Sequence, residues 1–132
     1  MERITKIARN KYLNFLIKKI SPQFLVKKSL KEVFYDDNRI SKSIVDRYYK
    51  LNLREGNRQA FIDRSLIDFT DHTLRLKKIK SKTLILWGQN DDWINVKFAQ
   101  KFKTMIKGSK VSIMNETGHI PMEERPFESL KI

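Results

Sequence analysis

The sequence predicts an α/β fold, in which short helices lead into a parallel two-strand unit. Three observations carry that expectation. Two short apolar runs, Thr83–Trp87 and Val111–Met114, each stop in a polar loop. The residues between them repeat their apolar positions with a helical period, which marks a strand–helix–strand crossover rather than a hairpin. The first seventy residues show several helical patterns and no strand-like alternation, so helices and strands are segregated along the chain.

Residues 3–20 read as an amphipathic helix, with Ile4, Ile7, Leu13, Leu16, Ile17 and Ile20 near one stripe and Arg9, Lys11 and Lys18 off it. Ser21-Pro22 ends it and starts a second helix, Ser as N-cap and Pro in the first turn. Phe24, Leu25, Leu30, Val33 and Phe34 supply that helix with an apolar face, and Asp36-Asp37-Asn38 turns the chain. A third helix is expected from about Ser41 to Asn52, with Ile44, Val45, Tyr48 and Tyr49 facing inward. Gly56-Asn57 breaks it, and residues 58–69 read as a fourth helix around Ala60, Phe61, Leu66 and Ile67.

Leu74–Ile79 is expected to be helical, with a basic tail. The uncharged strand Thr83–Trp87 then runs into Gly88 and a loop with Asp91 and Asp92. Its successor helix, about Val96 to Ile106, has Val96, Phe98, Ala99, Phe102 and Ile106 on the inner face and lysines on the outer one, and Gly108 is its C-cap. The second strand, Val111–Met114, ends in a loop with Gly118 and His119, and Pro126 opens a last short helix. Each strand therefore delivers one titratable residue at its carboxyl end, where parallel sheets collect their chemistry.

Composition limits the alternatives. The 132 residues suffice for one domain with its own core. Forty per cent hydrophobic residues and only seven Gly plus Pro argue against disorder. There is no Cys, so disulfides, thiolate nucleophiles and cysteine metal sites are excluded. No P-loop, dinucleotide-binding glycine motif or metal-spaced His/carboxylate cluster is present, so no cofactor and no metal is expected. No apolar run approaches the roughly 18 residues of a membrane span, and the lysine-rich start does not read as a signal peptide, which favours the cytoplasm. The net charge of +13 is concentrated in residues 1–80, with 20 basic and 9 acidic side chains. No basic run interleaved with stacking aromatics accompanies it. It is read as solvated helix faces rather than a nucleic-acid surface.

Trp87-Gly88-Gln89-Asn90-Asp91, with Gly118-His119 later and Glu124 and Pro126 beyond it, resembles the C-terminal half of the α/β-hydrolase fold. The resemblance covers residues 74–132 closely and 22–73 more loosely. In that family the first motif carries the acid of a catalytic triad and the second its histidine, here Asp91 and His119, 28 residues apart. Lys82 and Asn95 stand where the family often has Pro. The resemblance also implies two segments: residues 1–70 as a helical cap, and residues 71–132 as the βαβ part of the core. Val45-Asp46-Arg47-Tyr48-Tyr49 and Gly56-Asn57-Arg58-Gln59-Ala60 resemble the caps of small-substrate hydrolases. Phe34, Tyr48, Tyr49, Phe61 and Trp93 are the candidate substrate-binding residues.

A triad needs a nucleophile, a histidine that moves its proton, and a carboxylate that orients the histidine. The family order is nucleophile, acid, histidine, with the nucleophile on a glycine-flanked elbow. None of the nine serines has glycines two residues away on both sides, and no Asp does. The chain is therefore expected to act as the C-terminal part of a hydrolase for a small, apolar substrate. Its expected partner is the N-terminal half of that core, and alone it is expected to be inactive. The alternative is a non-catalytic module, derived from a hydrolase, whose basic helices contact an anionic partner. Of the adjacent acids, Asp91 is expected to reach His119, and Asp92 to turn towards solvent or the next helix.

Overall fold

The structure is a computed structural model, and it describes residues 9, 10, 12, 22–67 and 70–132. The helix expected over 3–20 lies outside the described residues, apart from Arg9, Asn10 and Tyr12. Two compact units are distinguished. One takes in the described residues of Met1–Leu30 and Ser41–Phe69, the other Lys31–Ile40 and Thr70–Ile132.

The first unit is helical. Helix α1, Gln23–Val33, begins just after Pro22 and runs through Leu30 into the segment that belongs to the second unit. Helix α2, Lys42–Leu53, is capped by Ser41, whose hydroxyl accepts the Ile44 N–H at 3.3 Å. Lys42 holds the Asp46 carboxyl below its ordinary value by a hydrogen bond one helical turn away. Gly56, at φ +81°, turns the chain into α3, Asn57–Leu66. The helix stops at Leu66, short of the expected 69. Its buried face is Ile62 and Ser65, three apart, whereas Phe61, Leu66 and Ile67 are exposed. The buried face is thus not the stripe read from the sequence, and Ile62 is the single large side chain that α3 buries. Leu30, Val45 and Ile62 are the buried apolar residues of this unit.

In the second unit β1, Leu84–Gly88, pairs in parallel with β2, Lys110–Met114, in a register that sets Leu84 opposite Lys110 and Gly88 opposite Met114. Helix α4, Lys97–Met105, crosses between them and packs on both strands. The Asn95 side chain accepts the Lys97 N–H at 3.0 Å at its start, and Gly108, at φ +80°, turns the chain after its end. Thr73–Lys78 is a 3-10 helix rather than an α-helix. Ile85, Ala99, Ile106 and Met114 form the buried apolar centre, with Val33 and Phe34 also buried in this unit. Phe98, expected inside, is 42% exposed with the Lys101 ammonium over its ring at 4.8 Å, a cation–π contact at the surface in place of burial in the core. Two short helices, α5 Pro121–Glu124 and α6 Pro126–Ser129, close the described chain.

Candidate active site

Parallel pairing puts the carboxyl ends of β1 and β2 side by side, so the loops leaving them share one end of the sheet. The loop after β1 is shaped by its own residues. Asp91 is buried, and its Oδ1 accepts the backbone N–H of Trp93 and of Ile94, both at 2.9 Å. The Trp87 indole N–H donates to the Ile94 carbonyl at 3.1 Å and ties the far end of the loop back to the strand. These contacts use one carboxyl oxygen and leave the other to look across.

That second oxygen meets the histidine. Asp91 Oδ2 lies 2.9 Å from His119 Nδ1. A carboxylate only accepts, so Nδ1 carries the proton and Nε2 is left as the acceptor. The Asp91 side chain is 3% exposed and that of His119 27% exposed. One partner is sealed and the other still reaches solvent. Asp92 is exposed, and of the two acids it is Asp91 that takes the loop amides near the helix start. Asp91 can serve both the amides and the histidine because its two oxygens face different ways.

Two glycines let the loops approach. A Cβ on Gly88 would lie 1.9 Å from the Gly118 carbonyl oxygen, and one on Gly118 would lie 2.3 Å from the Val33 carbonyl oxygen. Backbone stands on backbone in three layers here, and only hydrogen side chains fit. The Asn90 N–H donates to the Thr117 carbonyl at 2.9 Å, and the His119 N–H to the Val33 carbonyl at 2.8 Å.

Leu86, Trp87, Gly88, Asp91, Ile94 and His119 line a cavity of about 130 Å³. Trp93 stacks its ring against the His119 imidazole at 5.1 Å, tilted by 42°. Of the other substrate-binding candidates, Phe34 is 5% exposed, a core residue of the second unit and not part of that cavity wall. Tyr48 and Tyr49 are half-buried on α2, and Phe61 is exposed on α3, all in the first unit. What sequence reasoning passed over is that the backbone of Val33–Asp36 and the Glu124 side chain hold the histidine loop. Only the position of Glu124, five residues after His119, signalled any part of this. Among the described residues no cluster of three or more His, Asp or Glu could hold a metal ion, and no helix is long and apolar enough to cross a membrane.

Known proteins carry the same arrangement of chain. No family model matches. The chain is 35% identical over 63 residues to monoacylglycerol lipase abhd6-A of Xenopus laevis, across 46% of this chain and 19% of that protein. It is 26% identical over 121 residues to the uncharacterized hydrolase YugF of Bacillus subtilis (strain 168), across 87% of this chain and 42% of that one. Among solved structures, a thermophilic esterase from Thermogutta terrifontis superposes with a TM-score of 0.72 at 19% identity, over 98% of this chain and 46% of that one. These matches all point to the α/β-hydrolase superfamily. Within that α/β-hydrolase frame the chain spans less than half the length of the curated relatives it matches. The two parallel strands and their flanking helices fit the C-terminal part of the fold.

Proposed function

We propose that this chain supplies the acid and the general base of a nucleophile–acid–histidine triad in an α/β-hydrolase. Asp91 is the acid and His119 the base. The observation that carries the reading is the 2.9 Å contact between Asp91 Oδ2 and His119 Nδ1, made by a buried carboxyl whose other oxygen is tied down by two amides. Such a group cannot swing away, so it fixes the imidazole tautomer and stabilises the imidazolium that forms when Nε2 takes a proton. His119 would take that proton from the nucleophile as it attacks and return it to the leaving group. The nucleophile and the oxyanion-hole amides would come from outside this stretch, since no residue here sits on a glycine-flanked elbow.

The substrate would be small and largely apolar. Leu86, Trp87 and Ile94 line the cavity beside His119, and the Trp93 ring lies against the imidazole. The first unit, built of helices among its described residues, is read as the cap of that fold, with Tyr48, Tyr49 and Phe61 as its candidate substrate contacts.

A chimera tests the reading. YugF with the stretch matched by this chain replaced by this chain should hydrolyse short p-nitrophenyl esters, and His119→Ala should abolish that turnover. The chain on its own should show none. A folded chimera without turnover, from an active parent, would sink the proposal, and so would ester hydrolysis by the isolated chain that depends on His119.

A further inference from the structure

Glu124 closes the four-residue helix α5, between Pro121 and Pro126, and is 2% exposed. A carboxyl group so deeply buried needs donors. It has three, all backbone N–H groups. Tyr35 and Asp36 donate to Oε1 at 2.9 Å each, and Gly118 donates to Oε2 at 2.7 Å. Arg39 Nη1 adds a bond to the Glu124 carbonyl at 3.1 Å. Gly118 is the residue before His119, and the His119 N–H itself donates to the Val33 carbonyl. The peptide leading into the histidine is thus tied twice to the segment Val33–Asp36, once directly and once through Glu124.

We propose that Glu124 is a positioning residue for His119. By bridging Gly118 to Tyr35 and Asp36, it sets the backbone from which the imidazole presents Nδ1 to Asp91. It is not among the residues that line the cavity, and the hydrogen bond at His119 Nδ1 runs to Asp91, so its effect is assigned to the loop. The inference rests on the reading of Asp91 and His119 as the acid–base pair.

The chemistry of the three donors explains why a carboxyl stands here. Both of its oxygens accept, and each meets at least one N–H. An amide in its place would keep one accepting oxygen and turn an NH₂ group towards one of the donor sides. With Oε1 facing Tyr35 and Asp36, the Gly118 N–H would meet another donor and the loop would be pushed off its seat. A shorter carboxyl would keep the acceptors but not the reach across to both segments.

The two histidines of the chain make the test internal, because His72 is exposed and lies outside the site. Long-range ¹H–¹⁵N spectra of the ¹⁵N-histidine-labelled full chain at pH 8, where an ordinary imidazole is neutral, report the tautomer of each ring. In the unaltered chain His119 should show one tautomer, with the proton on Nδ1, while His72 shows the mixture of a free imidazole. In Glu124→Gln the single tautomer of His119 should be lost in favour of a mixture like that of His72, with the His72 signals unmoved. A Glu124→Gln chain with unchanged far-ultraviolet circular dichroism and a cooperative melt, whose His119 keeps its single Nδ1–H tautomer, would overturn the proposal. If that variant does not fold, Glu124→Asp decides by the same readout, loss of the single tautomer being expected and its retention fatal. A free mixture at His119 in the unaltered chain would instead refute the acid–base pair itself, an outcome distinct from either variant result.

Discussion

The loop that carries Asp91 and the loop that carries His119 are joined by the contact between those two side chains and by the Asn90 N–H on the Thr117 carbonyl, yet the two side chains are held in different ways. Around Asp91 the shaping contacts are local: its own carboxyl takes the N–H groups two and three residues on, and Trp87 closes the loop seven residues away. Around His119 the fixing contacts come from far along the chain, from Val33, Tyr35 and Asp36, the last two through Glu124 at separations of 89 and 88 residues. Asp91 is placed mainly by its neighbours in sequence, and His119 by neighbours in space.

Four substitutions break or sharpen that contrast. The largest effect belongs to the bond between Asp91 and His119. In the YugF chimera, Asp91→Asn should leave the acid loop folded, since the amide oxygen still takes the Trp93 and Ile94 N–H groups. The amide NH₂ now faces Nδ1 and favours the wrong tautomer, so turnover should fall on the order of 10⁴-fold, as when a serine-protease triad loses its acid. A fall below tenfold would mean that Asp91 does not orient the base. Next comes Gly118→Ala, whose methyl would run into the Val33 carbonyl and the Tyr35 amide. A cost of about 3 kcal/mol in urea unfolding is expected, at the upper end for overpacking against backbone. Hydrogen exchange at Trp93 and Ile94 should rise no more than the lost global stability requires. An additional, selective rise there would show that the two loops are not independently held.

Trp87→Phe sharpens the local side. It removes the N–H to Ile94 and leaves most of the packing on Phe102, whose ring lies 5.9 Å away. About 1 kcal/mol of stability should be lost, with exchange rising at Ile94 and not at Gly118. Smallest is Gly108→Ala, a control at positive φ with nothing within 4 Å of the added methyl. The left-handed conformation costs about 1 kcal/mol for an alanine, and the stiffer unfolded chain offsets part of it. A net loss of about 0.5 kcal/mol separates conformational cost from the collision at Gly118. Equal losses at the two glycines would discredit the three-layer backbone stack.

The same contrast governs what could be read from the sequence. Asp91 was legible because the contacts of its own carboxyl within the loop, and the Trp87 bond that closes it, lie between Trp87 and Asn95, within one motif. The strands were legible as short apolar runs, each shifted by at most one residue in the structure. His119 was legible as a residue but not in its support, since nothing local in Val33–Asp36 announces a role in a loop more than eighty residues later. Glu124 belongs to the recognised tail pattern, but a charged residue in a short helix between prolines ordinarily reads as solvent-facing. The buried stripe of α3 and the environment of Phe98 were misread for a related reason. A helical period says that one face is covered, not which neighbour covers it.

The separation between Val33–Asp36 and the histidine loop also bears on the order in which the site assembles. The Asp91 turn closes over two or three residues and needs no distant segment. The seat of His119 cannot form until nearly ninety residues of chain have been gathered to bring Tyr35 and Asp36 onto Glu124. Contacts that close long loops are entropically late and slow to form. During refolding, pulse labelling should therefore find the Trp93 and Ile94 amides protected before those of Tyr35, Asp36 and His119; simultaneous protection would contradict that order. Asp91 would wait in place for His119, and their contact would come into being only at the last stage of folding.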